Sequence, residues 1–128
     1  MERIAVFTKA SPNESAREPN GYFLGSGWNE TDPATRLVVA LDAATGSQKW
    51  QYRESGSGYD YSGLLATGGG LVFGASGGTL FAVDADSGRE VFKQSLGGTT
   101  FSAPISFTID GAQVIVVAAG RALFVFGL

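Results

Sequence analysis

The chain has 128 residues and a net charge of −3, and only 16% of its residues are charged, against about 25% in an average soluble domain. It contains no cysteine and no histidine, which excludes disulfides, thiolate metal sites and Ser-His or Cys-His nucleophile pairs within this chain. Lys and Arg form no cluster, so we expect no nucleic-acid binding. The longest apolar runs fall short of the ~18 residues that a membrane span requires, so we expect no membrane span.

The first 35 residues predict an irregular, loop-rich part of a blade-like unit. Ile4–Thr8 predicts a short strand, and Tyr22–Leu24 predicts a second one. Lys9–Asn20 is polar and holds two prolines, and Trp28–Thr35 is also polar, so both predict loops. The amino terminus lacks an apolar secretory segment, and we therefore expect no export signal in this chain.

The signal for strands becomes stronger from Arg36 onward. Leu37–Leu41 is a run of five apolar residues, which predicts a strand buried on both faces. Asp110-Gly111 predicts a tight hairpin turn. No stretch has a helical period, and the chain is therefore predicted to be all-β. Further strands are predicted at Gln48–Arg53, Leu64–Thr67, Leu71–Gly74, Thr79–Val83, Glu90–Gln94, Ala103–Thr108, Val114–Ala118 and Leu123–Phe126.

One phrase occurs twice in the chain: the segment from Ala40 to Trp50 returns 42 residues later, from Ala82 to Phe92. Four predicted strands lie within one period. A period of about 40–45 residues with short strands is typical of propeller blades. The sequence therefore predicts a partial β-propeller of four-stranded antiparallel blades, in which Phe101–Leu128 supplies three strands and no fourth.

Each residue type in the repeated phrase has a role in packing. A small alanine suits the close approach of neighbouring sheets, and the Asp and Thr/Ser oxygens can accept N–H groups of the following turn. The glycine supplies a positive φ, and the closing aromatic offers a flat surface to the neighbouring blade. Because these residues recur with the repeat, we interpret them as structural and not as a metal or catalytic set. They are Ala40, Asp42, Thr45, Gly46 and Trp50, followed by Ala82, Asp84, Ser87, Gly88 and Phe92.

The phrase A-x-D-x-x-T-G-x-x-x-W resembles the tryptophan-docking motif of quinoprotein propellers, in which eight four-stranded blades surround pyrroloquinoline quinone (PQQ). Gly63–Gly74, Ser102–Ile105, Asp110–Gln113 and Leu123–Leu128 add to this resemblance. Together they resemble the carboxy-terminal end of PQQ-dependent alcohol dehydrogenases of the methanol/ethanol type. The resemblance covers residues 36–128 and implies about three of the eight blades.

This resemblance implies periplasmic oxidation of a primary alcohol, with PQQ as electron acceptor, a Ca²⁺ or lanthanide ion and a cytochrome as the next acceptor. The catalytic Asp and the metal ligands of the family lie on blades upstream of this segment, so no catalytic or metal residue is assigned here. The family often has Trp-Gly-Gly where this chain has Tyr61-Ser62-Gly63. Tyr61 is therefore the predicted cofactor contact, the alternative being an aromatic packed between blades. We expect no turnover from the chain alone.

Two other functions remain open at this point. One is a non-catalytic propeller scaffold for protein–protein interaction in the cell envelope, such as the PQQ-like lipoprotein of outer-membrane assembly. The other is a ring assembled from several short chains. The expected partners are accordingly the remaining propeller blades or other copies of this chain.

Overall fold

A computed structural model describes residues 5–9, 26–30, 36–54 and 62–127. The chain divides into two compact units, residues 1–35 and residues 36–128. In the first unit, strand β1 (Ala5–Lys9) pairs antiparallel with strand β2 (Ser26–Glu30).

Strand β2 corrects the loop predicted for Trp28–Thr35, because Trp28 lies opposite Phe7 in a regular ladder. Pairing with β1 provides backbone hydrogen bonds that outweigh the weak strand propensity of this polar, glycine-containing segment. The strand predicted at Tyr22–Leu24 lies outside the described residues.

The second unit forms three antiparallel sheets from its described residues, and we call each sheet a module. Module 1 has the strand order β3-β4, module 2 has the order β5-β6-β7-β8, and module 3 has the order β11-β10-β9. No helix occurs among the described residues, in agreement with the all-β prediction, and none of them forms a helix able to cross a membrane. The strands are β3 (Leu37–Leu41), β4 (Gln48–Arg53), β5 (Leu64–Ala66), β6 (Leu71–Ser76), β7 (Thr79–Asp84), β8 (Glu90–Ser95), β9 (Ile105–Ile109), β10 (Ala112–Ala119) and β11 (Ala122–Gly127).

The sequence repeat is also a repeat in strand register. Ala40 lies opposite Trp50 in module 1, and Ala82 lies opposite Phe92 in module 2. An irregularity of register follows each of the two alanines. Such an irregularity re-aims the strand at the same point of both modules. The four-strand blade predicted from the period is complete in module 2, whereas the described part of module 1 has two strands and module 3 has three.

Each pair of neighbouring modules encloses an apolar cluster. Between modules 2 and 3 the buried side chains are Phe73, Ala75, Leu80, Ala82, Leu96, Ile115, Val117 and Ala119. Between modules 1 and 2 they are Val38, Phe81 and Val83, with Trp50, Tyr52 and Val72 packed against them. Side chains alternate between the two faces of a strand. Module 2 therefore uses one face for each cluster, and β7, one of its two central strands, is buried on both faces.

Strand β3 departs from the burial that its apolar run predicts. Val38 is 6% exposed, but Val39 is 42% exposed and Leu41 is 59% exposed. One face of β3 packs on module 2, and the other face carries the exposed side chains. The apolar run of β3 suits a strand with a sheet packed on each face. Among the described residues, only module 2 packs on it.

A glycine in the middle of module 2 makes room for an aromatic ring. A Cβ built on Gly74 would lie 2.8 Å from Leu64 Cδ2 and would collide with the ring of Phe81. Phe81 is 2% exposed and lies opposite Gly74 in the β6–β7 ladder. The absence of a side chain at this position therefore allows Phe81 to fill the space between modules 1 and 2.

We predict that Gly74→Ala destabilises the fold by about 1–3 kcal/mol, because the added methyl group overpacks a buried ring. Gly68→Ala is the matched control, since a Cβ at Gly68 would meet no described atom within 4 Å. Urea unfolding of the chain measures both variants. Equal midpoints for the two variants would show that Phe81 does not need this space.

Candidate functional site at the module junctions

The first repeated turn is held together by one carboxylate. Asp42 Oδ1 accepts hydrogen bonds from Ala44 N at 3.0 Å, Thr45 N at 2.9 Å and Thr45 Oγ1 at 3.0 Å. The turn closes through Gly46 N, which donates to Asp42 O at 2.7 Å. Gly46 has a φ of 72°, a conformation that strongly favours glycine.

The second turn repeats this arrangement. Asp84 Oδ1 accepts from Ser87 N at 2.8 Å and from Ser87 Oγ at 2.6 Å, and Gly88 N donates to Asp84 O at 2.8 Å. Gly88 has a φ of 70°. In both turns the hydrogen bonds hold the pKa of the aspartate below its usual value: those from Thr45 act on Asp42, and those from Ser87 act on Asp84. The two carboxylates are thus occupied in closing turns.

Trp50 connects module 1 to the turn of module 2. Its Nε1 donates to Ala85 O at 2.9 Å. Its ring lies directly on Gly88, because a Cβ at Gly88 would be 2.6 Å from Trp50 Cδ2. Gly88 is therefore required for two reasons. It adopts a left-handed backbone conformation, and its lack of a side chain lets the indole ring pack directly on the turn. This junction depends on both repeats of the phrase at once.

A second polar contact, between residues outside the predicted set, crosses the same junction. The Tyr52 hydroxyl donates to the Glu90 carboxylate, and the Tyr52 ring lies 5.0 Å from the ring of Phe81. Burial, followed by the bond to Glu90, raises the pKa of Tyr52. Glu90 is also 3.6 Å from Lys93 Nζ. The signal in the sequence is that Tyr52 follows Trp50 by two positions on one strand, which places both side chains on the same face.

Phe92, the counterpart of Trp50, has different surroundings. Its ring meets the Phe126 ring edge-on at 5.8 Å, and Phe92 is 37% exposed. A cleft of about 240 Å³ lies beside it. The described residues contain no turn that covers Phe92 as the turn of module 2 covers Trp50. The cleft is lined by Leu71, Phe73, Ala82, Val91, Phe92, Phe126 and Gly127.

The loops that lead into β5 and β9 meet at the other end of the strands. Ser62 Oγ donates to Ser102 O at 3.2 Å, and a Cβ on Gly63 would lie 2.9 Å from Ala103 Cβ. Tyr61, the predicted cofactor contact, lies outside the described residues. A cleft of about 150 Å³ lies nearby, lined by Thr99, Phe101, Ser102, Ala118 and Gly120.

The described loops at this end of the strands do not enclose a cofactor by themselves. Ligand pockets usually measure about 300–1,000 Å³, well above the cleft at Phe101. Thr100 Oγ1 is buried and has no hydrogen-bond partner among the described residues, but the side chains around the cleft offer only hydroxyl groups and one aromatic ring. The described residues also contain no group of three or more His, Cys, Asp or Glu that could hold a metal ion.

We predict that Trp50→Phe lowers the free energy of unfolding by about 1–3 kcal/mol, because it leaves the Ala85 carbonyl without its donor. Phe92→Trp is the matched control at the equivalent position. It should change the stability by about 0.5 kcal/mol or less, since no acceptor lies there among the described residues. Thermal and urea unfolding measure both variants, and equal losses would contradict the docking role of the indole.

A second prediction concerns pH. Because folding lowers the pKa of Asp84, its contribution to stability is present above the unfolded pKa of about 3.9 and is lost as the pH falls through the folded pKa. We expect Asp84→Asn to flatten the decline in stability below about pH 4. Ser87→Ala, which removes the hydroxyl that donates to Asp84 Oδ1, should flatten this decline in the same direction. Urea midpoints measured across acidic pH values test this.

Comparison with known proteins identifies the repeat. The PQQ_2 family model, described as outer membrane protein assembly factor BamB, matches residues 34–126. Quinoprotein alcohol dehydrogenase PedE of Pseudomonas putida is 39% identical over 102 residues, which are 77% of this chain and 16% of that protein. Lupanine 17-hydroxylase [cytochrome c] of a Pseudomonas species is 34% identical over 101 residues, 78% of this chain and 14% of that protein.

Solved structures agree with this relationship. Quinohemoprotein alcohol dehydrogenase from Comamonas testosteroni has the same fold, with a TM-score of 0.67 at 23% identity over 80% of this chain and 16% of that one. A europium-containing methanol dehydrogenase gives a TM-score of 0.56 at 32% identity over 63% of this chain and 14% of that one. This chain spans 14–16% of the length of the first curated relatives that it matches. The repeated, docked modules thus belong to a fragment of the PQQ-dependent alcohol dehydrogenase family of quinoprotein β-propellers.

Proposed function

We propose that this chain is the carboxy-terminal segment of a PQQ-dependent alcohol dehydrogenase-like quinoprotein, which as a whole oxidises a primary alcohol. The observation that carries this proposal is the docked Trp50, with its indole on Gly88 and its Nε1 bonded to Ala85 O. It occurs in a segment that is 39% identical to a quinoprotein alcohol dehydrogenase. In this proposal, residues 36–128 are propeller blades and residues 1–35 are a separate, loop-rich partial blade.

The role of this segment is to hold its part of the ring at a fixed geometry. Trp50 and Tyr52 join module 1 to module 2 by two polar contacts placed over an apolar cluster. Loops at the other end of the strands are held side by side by the Ser62–Ser102 bond. A ring that positions a cofactor requires its loops to stay in place, and these contacts provide that constraint.

The family uses PQQ together with a Ca²⁺ or lanthanide ion, and one relative is named for its europium. The described residues of this chain fit neither group alone, since they form no metal-ligand cluster and only a small cleft near the loops. We propose that the ligands of the ion come from other blades of the complete ring. Tyr61 is the one residue of this chain that we propose as a cofactor contact, as an aromatic face beside the quinone.

Relatives named for cytochrome c or haem support a cytochrome as the electron acceptor of the family. For this protein we propose the same acceptor and a periplasmic location. The remaining propeller blades are its proposed structural partners.

A non-catalytic scaffold in the cell envelope is the second candidate function. The observation that favours it is the description of the matching family model, which is that of an outer-membrane assembly factor. A scaffold of this kind would need the docked modules but neither a quinone nor an alcohol site. The two functions therefore differ in whether this segment supports cofactor binding.

A chimera distinguishes the two functions. Residues 36–128 replace the matching segment of PedE, and bound PQQ and alcohol-dependent dye reduction are measured after purification. We expect the chimera to bind PQQ and to oxidise a primary alcohol, whereas the isolated 128-residue chain with PQQ and Ca²⁺ should show no turnover. A folded chimera that binds no PQQ would favour the scaffold, and turnover by the isolated chain would contradict the assignment as a segment.

Two variants of the chimera test the role of Tyr61. Tyr61→Ala should weaken PQQ binding in a titration of the apoprotein by about tenfold, which corresponds to about 1.4 kcal/mol. Tyr61→Phe is the matched control, because it keeps the aromatic face. Unchanged binding by Tyr61→Ala would assign Tyr61 to packing between blades.

A further inference from the structure

We draw no further inference here: the strongest candidate, the apolar cleft of about 240 Å³ beside Phe92 where modules 2 and 3 meet, carries none, because nothing in the described part of the chain shows what covers it.

Discussion

The need to cover both faces of each sheet governs this structure. Strand β7 lies between two modules, and three of its residues, Leu80, Ala82 and Val83, are fully buried. Such burial contributes about 25 cal/mol for each Å² of apolar surface removed from water. A sheet that stands alone cannot obtain this burial, because both of its faces meet solvent. The stability of each module therefore depends on its neighbours.

The turns determine how one sheet lies on the next. Apolar faces can slide over one another, but Trp50 meets Ala85 O and Gly88 in a single position. That position exists only because Asp84 and Ser87 close the turn and place the glycine at a positive φ. A local hydrogen-bonded turn thus sets the position of one sheet on its neighbour through residues that are 35 positions apart in sequence. Tyr52 and Glu90 add a second polar contact at the same junction.

Much of the fold could be predicted from the sequence, because its signals are local and repeated. The 42-residue repeat, the Asp-to-Gly turns and the strand order within module 2 follow from the spacing of turn residues and apolar positions. Strand β2 could not be predicted in this way, since its pairing with β1 depends on a partner distant in the chain. The exposure of Val39 and Leu41 could not be predicted either, because an apolar run shows what a strand can bury and not how many neighbours it has.

In the candidate site, too, the repeated features could be predicted and the features that occur once could not. The residues of the docking contact could be recognised in the sequence because the same residue types occur at the same spacing in both repeats. Their relative positions within each sheet follow from strand register. The Tyr52–Glu90 bond occurs once, so no repeat marks it, and it depends on the angle at which two sheets meet. Catalytic function is harder to predict from one segment, because a propeller can bring together residues from all of its blades. The described residues contain docking contacts and no metal-ligand cluster, so what they establish is how neighbouring modules pack.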